Sequence, residues 1–233
     1  MHAKPRILAF DTFGTVVDWH GTIVKEVGTL FPRLDAHAFA KAWRNQYHPM
    51  MQKVMHQELP WTKIDDLHRM ILNVILEEFG LSHLNEQQRR HLNLVWHRLN
   101  AWPDSVSGLK KLKTQFVIAP LSNGNLSLLT HMAKHANLPW DCILSAELFK
   151  AYKPDPKTYL GVLELFEAKP SEVMMVAAHA SDLQAARSCG LQTAFIYRPL
   201  EWGGHPSVPV LMHEEFDLTC GSIEDLALQL GCP

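Results

Sequence analysis

Hydrophobic residues near the start of the chain form one short continuous run, and the residues after it recur at a different spacing. The run at 6–10 ends at Asp11 and is followed by Gly14, a combination that predicts a buried strand entering a turn. From 17 to 99 the apolar residues recur at helical spacing, which predicts helices. The helical spacing is clearest at 62–80 and 86–98. This part of the sequence therefore predicts one strand followed by an all-helical block.

Beyond residue 100 short apolar runs alternate with amphipathic stretches. The apolar runs predict strands at 116–121, 142–145, 173–178 and 193–197, with 193–197 as the final strand of the core. Helices are predicted at 104–114, 125–136 and 181–189, and another begins at Asp155 and Pro156, which suit the N-cap and the first helical position. Alternation of this kind favours a parallel sheet covered by helices on both faces.

We therefore predict an α/β fold built from two domains. The core, formed by 1–16 and 100–233, is a Rossmann-like, doubly wound parallel sheet that is discontinuous in sequence. The block at 17–99 follows the first strand directly, so we expect it to be an inserted all-helical cap. A chain of 233 residues is long enough to bury a core of this size.

Composition excludes several classes of function. The chain has 22 Lys and Arg against 24 Asp and Glu, a net charge of −2, so it offers no basic footprint for nucleic acid or anionic lipid. No apolar run approaches the roughly 20 residues of a membrane span, and the start lacks the pattern of a signal peptide. The cysteines form no CxxC pair and lie at Cys142, Cys189, Cys220 and Cys232. We expect a cytoplasmic protein with reduced thiols and with no nucleic-acid or membrane partner.

Polar side chains stand where the predicted strands end. They are Asp11 and Thr15, then Ser122, Asn123 and Gly124, then Lys153, and finally Asp182. Because ligands of doubly wound sheets bind at the carboxyl ends of the strands, these residues mark the expected site. Asp11 is the sharpest candidate, since a carboxylate held by a cation and by the Thr15 hydroxyl is a usable nucleophile. Taken alone, however, Asp11 fits the cap of a turn better.

Four short motifs occur in a fixed order along the chain. They are Asp11-x-x-Gly14-Thr15, Leu121-Ser122-Asn123-Gly124, Tyr152-Lys153-Pro154-Asp155 and Val176-Ala177-Ala178-His179-Ala180-Ser181-Asp182. Together with the helical block after the first motif, they resemble the haloacid dehalogenase superfamily over essentially the full chain. Most of that superfamily are phosphatases, which carry a second acidic residue where this chain has Phe13. Phe13 cannot protonate a leaving alkoxide, and the last motif offers only Asp182 as a charged ligand for Mg²⁺.

The branch of the superfamily is indicated by a stretch of the helical block. Residues 42–47, which include Arg44, are similar to the arginine-bearing cap helix of L-2-haloacid dehalogenases. The resemblance implies hydrolysis of L-2-haloacids to D-2-hydroxy acids, without metal or other cofactor. Asp11 would attack C2 to form an ester, which water then hydrolyses, while Arg44 and Asn123 receive the halide.

The same resemblance implies a role for each further site residue. Thr15 would fix one oxygen of Asp11, Lys153 would keep Asp11 ionised, Tyr159 would support that network, and Asp182 would position or deprotonate the water. Ser122 and backbone amides near Thr12 and Asn123 would hold the substrate carboxylate. The walls of the pocket would be Phe13, Asn45, His48 and Trp61. A tryptophan such as Trp61 is more often a domain-packing residue than a ligand contact, and Tyr159 equally fits the core.

The last motif departs from the common family pattern. Ala177, His179 and Ser181 stand where many L-2-haloacid dehalogenases carry Ser, Asn and an aromatic residue. This variant is similar to a sub-branch that also acts on fluoroacetate. His179 is then a neutral donor, a water-orienting group, the base itself or a satisfied core histidine.

Two other functions stay open at this point. The first is a Mg²⁺-dependent phosphatase of small molecules, and the second is a non-catalytic member that binds a small carboxylate. The resemblance also implies a homodimer formed through the cap.

Overall fold

The computed structural model describes residues 4–204 and 216–232, and these contain one six-stranded parallel sheet and one antiparallel pair of short strands. In chain order the strands are β1 (Ile7–Phe10), β2 (Val17–Asp18), β3 (Asn100–Ala101), β4 (Val117–Ser122), β5 (Leu144–Ser145), β6 (Val173–Ala177), β7 (Gln192–Ile196) and β8 (Leu218–Cys220). The order in the large sheet is β5-β4-β1-β6-β7-β8, and each neighbouring pair is parallel. The predicted α/β fold with a doubly wound parallel sheet is confirmed.

Helices fall into two groups along the chain. Between β2 and β3 they are α1 (Trp19–Leu30), α2 (Ala36–Asn45), α3 (Tyr47–Met55), α4 (Ile64–Glu78) and α5 (Glu86–Asn93), followed by a 3-10 helix at Leu94–Arg98. After β3 they are α6 (Ser105–Leu112), α7 (Leu126–His135), α8 (Ala146–Phe149), α9 (Pro156–Leu165), α10 (Ala180–Ser188) and α11 (Ile223–Gln229), with a 3-10 helix at Pro170–Glu172. The helices of the second group alternate with the strands of the sheet, as the sequence predicts.

Strand β1 lies at the centre of the sheet and brings Asp11 to its carboxyl edge. Phe10 is in register with Pro120 of β4 on one side and with Val176 of β6 on the other. The amide of Asp11 continues the ladder by donating to the carbonyl of Val176 over 2.9 Å. Its side chain therefore emerges between the ends of two neighbouring strands, where parallel sheets bind ligands.

A buried aromatic cluster joins the helices between β2 and β3 to the turn after β1. Trp96 lies at its middle and is 1% exposed. Its ring centroid lies 5.5 Å from that of Trp43, 6.4 Å from that of Trp19 and 5.9 Å from that of Phe13. Large aromatic side chains bury 150–250 Å² each, so this cluster fixes the helices firmly against the turn that carries Asp11.

Three details of the sequence prediction are wrong. The stretch 86–98 is not one helix, because α5 ends at Asn93 and the chain continues as a 3-10 turn. Asn93 is buried, and its side-chain amide donates to the carbonyl of Asp65 over 3.1 Å. The block 17–99 is not wholly helical, since it begins with β2, which pairs with β3 directly after the block. The run at 193–197 is not the last strand, because the short strand β8 pairs with β7.

Asp155 caps α9 as predicted. Its side chain accepts a hydrogen bond from the amide of Lys157 over 2.8 Å, and Pro156 occupies the first turn. No helix in the described residues is long and apolar enough to cross a membrane. The four cysteine thiols are free, with two buried and two half-buried.

Candidate active site

A cavity of about 620 Å³ lies between the carboxyl edge of the sheet and helices α2 and α3. The core side contributes Asp11, Phe13, Asn123, Lys153, Pro154, Tyr159, His179, Ser181, Asp182 and Trp202, and the helical side contributes Arg44, Asn45, Tyr47, His48 and Met51. Most of the residues that the sequence singled out thus lie on one cavity, although they come from widely separated parts of the chain.

Asp11 lies on the cavity, and its side-chain hydrogen bonds come from its own motif and from two others. Its Oδ1 accepts from Nζ of Lys153 over 3.0 Å, and its Oδ2 accepts from the Thr15 hydroxyl over 2.7 Å and from Nδ1 of His179 over 3.1 Å. Burial alone would raise the pKa of Asp11, but Lys153, His179 and Thr15 outweigh it and hold that pKa far below its ordinary value. Asp11 is therefore an ionised, oriented carboxylate.

The turn after β1 fixes Thr15 beside Asp11. Gly14 adopts a φ of +86°, which only glycine reaches without strain, and a Cβ there would lie 2.2 Å from the carboxylate of Glu201. The Thr15 hydroxyl donates to Asp11 and also accepts from the amide of Ala178 over 2.9 Å. Because both interactions of the hydroxyl are used, its hydrogen points at Asp11.

The backbone of Lys153 is fixed by hydrogen bonds to the side chain of Asn123. Its backbone N–H donates to Oδ1 of Asn123 over 2.7 Å, and the side-chain Nδ2 of Asn123 in turn contacts the Lys153 carbonyl at 3.4 Å. The ammonium group bridges Asp11 and Asp182, with an Nζ to Oδ2 distance of 2.5 Å to Asp182. Burial lowers the pKa of Lys153, but the two carboxylates more than compensate and raise it, so the side chain stays charged.

Asp182 and Tyr159 form the second half of this network. The Tyr159 hydroxyl donates to Oδ1 of Asp182 over 2.6 Å, and both side chains are buried on the cavity. Burial raises the pKa of Asp182 despite the opposing charge of Lys153, and the nearby charge of Asp11 raises it further. A carboxylate with a raised pKa is a better proton acceptor than an ordinary one. Asp182 lies in the first turn of α10 and is not its N-cap.

His179 bridges two carboxylates, one of which the sequence analysis missed. Nδ1 faces Asp11, and Nε2 lies 3.0 Å from each carboxylate oxygen of Glu201. Burial lowers the pKa of His179, but the hydrogen bonds to Asp11 and Glu201 outweigh it and raise it to about 10. Its two carboxylate partners favour a charged imidazolium over a neutral donor, a base or a core histidine, and its role stays a prediction.

Arg44 enters the cavity from α2. Its guanidinium lies 4.4 Å from the ring centroid of Tyr47 and 5.7 Å from that of Trp19. The Nη1 atom is buried and has no hydrogen-bond partner in the structure. An aromatic cradle with an unsatisfied cationic donor is well suited to an anion.

Four residues predicted for the site do not line the cavity. Ser122 is buried behind it and accepts from the amide of Gly124 at 3.3 Å, while the buried Thr12 hydroxyl has no partner. Thr15 acts on the cavity only through Asp11. Trp61 packs on Tyr152 with ring centroids 4.8 Å apart, as in the domain-packing alternative.

Several cavity residues were given no role in the site by the sequence analysis. They are Tyr47, Met51, Pro154, Ser181 and Trp202, with Glu201 directly behind His179. Glu201 and Trp202 follow β7, so the rule that drew attention to polar residues at strand ends would have found them had it been applied to this strand. Tyr47 stands directly within the stretch that drew attention to Arg44.

Chemically, the site offers an ionised carboxylate nucleophile, a second carboxylate that accepts protons, and a cation in an aromatic cradle. Every oxygen of Asp11 and Asp182 accepts a hydrogen bond from a protein group. Within the described ranges no group of three or more His, Cys, Asp and Glu side chains is placed to hold a metal ion. Such a fold and site suit a hydrolase whose nucleophile is an aspartate.

Comparisons with known proteins place the chain in a family. Residues 5–190 match the family model described as haloacid dehalogenase-like hydrolase, and the chain belongs to that family. It is 31% identical over 203 residues to (S)-2-haloacid dehalogenase 4A of Burkholderia cepacia, with 83% of each chain covered.

Two solved structures resemble the whole chain. The crystal structure of a defluorinating L-2-haloacid dehalogenase is 42% identical, covers 97% of this chain and 95% of its own, and superposes with a TM-score of 0.93. The crystal structure of another L-2-haloacid dehalogenase is 43% identical, with coverages of 98% and 100% and a TM-score of 0.92.

Proposed function

We propose that the chain is a hydrolase of carbon–halide bonds that converts short L-2-haloalkanoic acids to D-2-hydroxy acids and halide. The observation that carries this proposal is that Asp11, ionised and oriented by Lys153, Thr15 and His179, shares one cavity with Arg44, whose buried Nη1 has no hydrogen-bond partner. The named relatives support the same reaction class, because they are (S)- and L-2-haloacid dehalogenases.

In the first step an oxygen of Asp11 attacks C2 of the substrate from the side opposite the halogen. The new C–O bond forms as the carbon–halogen bond breaks, and the halide leaves with the electron pair. Halide needs no proton to depart. The lack of a general acid at Phe13 therefore does not slow this step. Arg44 stabilises the charge that develops on the halide, which is where fixed donors contribute most to rate.

In the second step water attacks the carbonyl carbon of the Asp11 ester. The bond between that carbon and the ester oxygen breaks, and the departing oxygen takes the proton that remains on the added water. The product hydroxyl therefore carries an oxygen that came from Asp11, and the other water proton finally passes to solvent. Asp182 accepts one proton of the attacking water, and Lys153 and Tyr159 hold the Asp182 carboxylate in position. A base positioned in this way typically contributes a factor of about 10²–10⁴.

The rival function, a Mg²⁺-dependent phosphatase, is not favoured by this site. Phe13 packs edge-on against Tyr47, with ring centroids 6.4 Å apart, and supplies no proton. The Lys153 ammonium already contacts both Asp11 and Asp182. A hard divalent cation would have to displace those contacts to reach its usual several oxygen ligands.

The reaction is tested by halide release from each enantiomer of 2-chloropropionate and from chloroacetate, with and without EDTA, alongside an aryl phosphate. We expect release of chloride from the L-enantiomer and from chloroacetate that EDTA does not slow and that Asp11→Asn abolishes. Fluoroacetate belongs in the same series, because one of the similar structures is described as defluorinating. Mg²⁺-dependent release of phosphate without halide would contradict the proposal. Release of neither would favour a non-catalytic member that binds a small carboxylate.

The division of the chain and its assembly belong to the same proposal. We place the core at 1–16 and 100–233 and the cap at 17–99, and β2 and β3 support these limits by pairing at the two ends of the cap. A cytoplasmic location and a homodimer formed through the cap complete it. Sedimentation of the purified protein tests the dimer, and a mass of one chain would contradict it.

A further inference from the structure

Glu201 lies behind His179 in a position that the proposed reaction does not by itself require. Its side chain is 7% exposed, and its two oxygens both lie 3.0 Å from Nε2 of His179. The indole N–H of Trp19 donates to Oε1 of Glu201 over 3.0 Å. The loop that carries Glu201 is anchored through Arg198, whose guanidinium makes two 2.8 Å hydrogen bonds to Asp104. Glu201 is therefore a fixed, buried carboxylate.

The hydrogen-bonding geometry determines the protons on His179. Ionised carboxylates only accept hydrogen bonds, so a ring nitrogen that faces one must donate. Nδ1 faces Asp11 and Nε2 faces Glu201, and a neutral imidazole has only one N–H. Both contacts are satisfied together only when the ring carries two protons and a positive charge.

Asp11 has different surroundings at its two oxygens. Oδ2 accepts two hydrogen bonds, from Thr15 and from His179, whereas Oδ1 accepts one, from Lys153. A carboxylate oxygen has two lone-pair sites, so Oδ1 keeps one for attack on the substrate and Oδ2 does not. The ester then forms through Oδ1, and Oδ2 becomes its carbonyl oxygen.

We propose that Glu201 is a positioning residue that keeps His179 doubly protonated, so that His179 and Thr15 together stabilise the oxyanion that forms on Oδ2 of Asp11 during ester hydrolysis. The inference rests on the proposed function for its chemical step. When water attacks the ester carbon, the carbonyl electron pair moves to Oδ2, and the two donors already point at that atom. No proton leaves His179, and collapse of the oxyanion expels the product oxygen, which takes the proton that remains on the added water. Removing a single donor of this kind costs about 10²–10³ in rate in other enzymes.

Charged and titratable groups face His179 from several elements of the fold. Asp11 faces it from the end of β1, Glu201 from the loop after β7, and Lys153 and Asp182 lie beyond Asp11. Arg44 and Tyr47 line the cavity from the helical side. Asp18 lies near Glu201, whose charge adds to burial in raising the pKa of Asp18. The two carboxylates in direct contact outweigh the more distant cations, which is consistent with a raised pKa of His179.

The test is Glu201→Gln, which keeps the shape and removes the charge. We expect wild type to hydrolyse 2-chloropropionate with no loss of rate as the pH rises from mildly acidic to mildly alkaline values. In the variant we expect a fall of about 10-fold or more over this range, because an isolated histidine loses its proton near pH 6.5. Glu164→Gln removes the same charge from an exposed position of α9 and should match wild type.

A second measurement does not depend on turnover. Nitrogen NMR of the histidine side chains, with His179→Gln used to assign the signals, should show both ring nitrogens of His179 protonated at neutral pH in wild type. In Glu201→Gln the ring should become neutral on raising the pH. A singly protonated His179 in wild type at neutral pH overturns the inference, even if the variant does not fold. So does a Glu201→Gln variant with an unchanged pH profile and an unchanged His179.

The outcomes separate this inference from the proposed function. If wild type releases no halide from any 2-haloacid, the proposed reaction fails, and the oxyanion role fails with it. A doubly protonated His179 that becomes neutral in Glu201→Gln would still support the positioning role. If halide is released but His179 is neutral, only the inference about Glu201 fails.

Discussion

The Nζ atom of Lys153 lies 3.0 Å from Oδ1 of Asp11, although the two residues are 142 positions apart in the chain. The same ammonium group contacts Asp182. One buried cation therefore bridges the nucleophile and the proton acceptor of the proposed reaction, and its removal would leave two carboxylates facing each other.

Lys153→Met should consequently damage both activity and stability. We expect the rate of chloride release to fall about 10²-fold or more. Breaking a buried ion pair by removing one partner typically costs about 3–5 kcal/mol, so the free energy of unfolding should fall by that order. Chloride release and urea denaturation measure the two effects. Lys157→Met, at an exposed position of α9, is the matched control, and equal losses in both variants would contradict this role.

Tyr159→Phe tests the partner of Asp182. The hydroxyl donates to the charged form of that carboxyl over 2.6 Å, so its loss should raise the pKa of Asp182 further. Because the acceptor must be ionised to take a proton from water, the acid limb of the pH profile of kcat should move to higher pH. We expect a roughly 10-fold lower kcat at neutral pH, equivalent to about 1.4 kcal/mol. An unshifted acid limb would show that Asp182 is not the base.

Arg44→Lys keeps the positive charge but loses the planar guanidinium that lies over Tyr47. A lysine at a stacked position does not replace the fork of donors that arginine offers. We expect kcat to fall about 10²-fold, since the interaction with halide develops mainly as the carbon–halogen bond breaks. Steady-state kinetics with chloro and bromo substrates measures the effect. Arg33→Lys, on an exposed part of the helical block, should leave kcat unchanged.

The stability of the fold should depend on the charge of His179. Its pKa rises from about 6.5 to about 10 on folding, so the bound proton favours the folded state. This contribution to stability is fully present below the pKa of His179 in the unfolded chain, and it is lost as the pH rises through the pKa of His179 in the folded protein. The free energy of unfolding should therefore fall between pH 6.5 and 10 in wild type. His179→Gln should lack this part of the fall, and identical pH dependences in the two proteins would contradict it.

The pattern of apolar residues was sufficient to predict the fold class, because the buried strands of a parallel sheet and the helices that cover it each leave a strong local pattern in the sequence. The central strand β1 is fully buried and reads as one apolar run, and α4 buries one face at helical spacing. The short strands β2 and β8 have two and three residues and carry no such pattern. Their positions are decided by pairing with distant partners, which no local window contains.

The candidate site was predictable only where residues belong to recognisable motifs. Asp11, Lys153 and Asp182 lie in such motifs, and the structure brings them into direct contact. Glu201 lies in a loop and reaches His179 across space left free by Gly14, so its importance depends on the fold. The charge of His179 follows from that contact, which is why the sequence left its role open.

The most direct test of the central claim follows oxygen from water through Asp11. A single turnover of excess enzyme on L-2-chloropropionate, in water enriched in the heavy oxygen isotope, is analysed by mass spectrometry. We expect the lactate to carry the ordinary isotope and the peptide that contains Asp11 to gain the heavy one, because water attacks the enzyme ester. Heavy oxygen in the lactate with an unlabelled Asp11 would mean direct attack of water on C2, and would contradict Asp11 as the nucleophile.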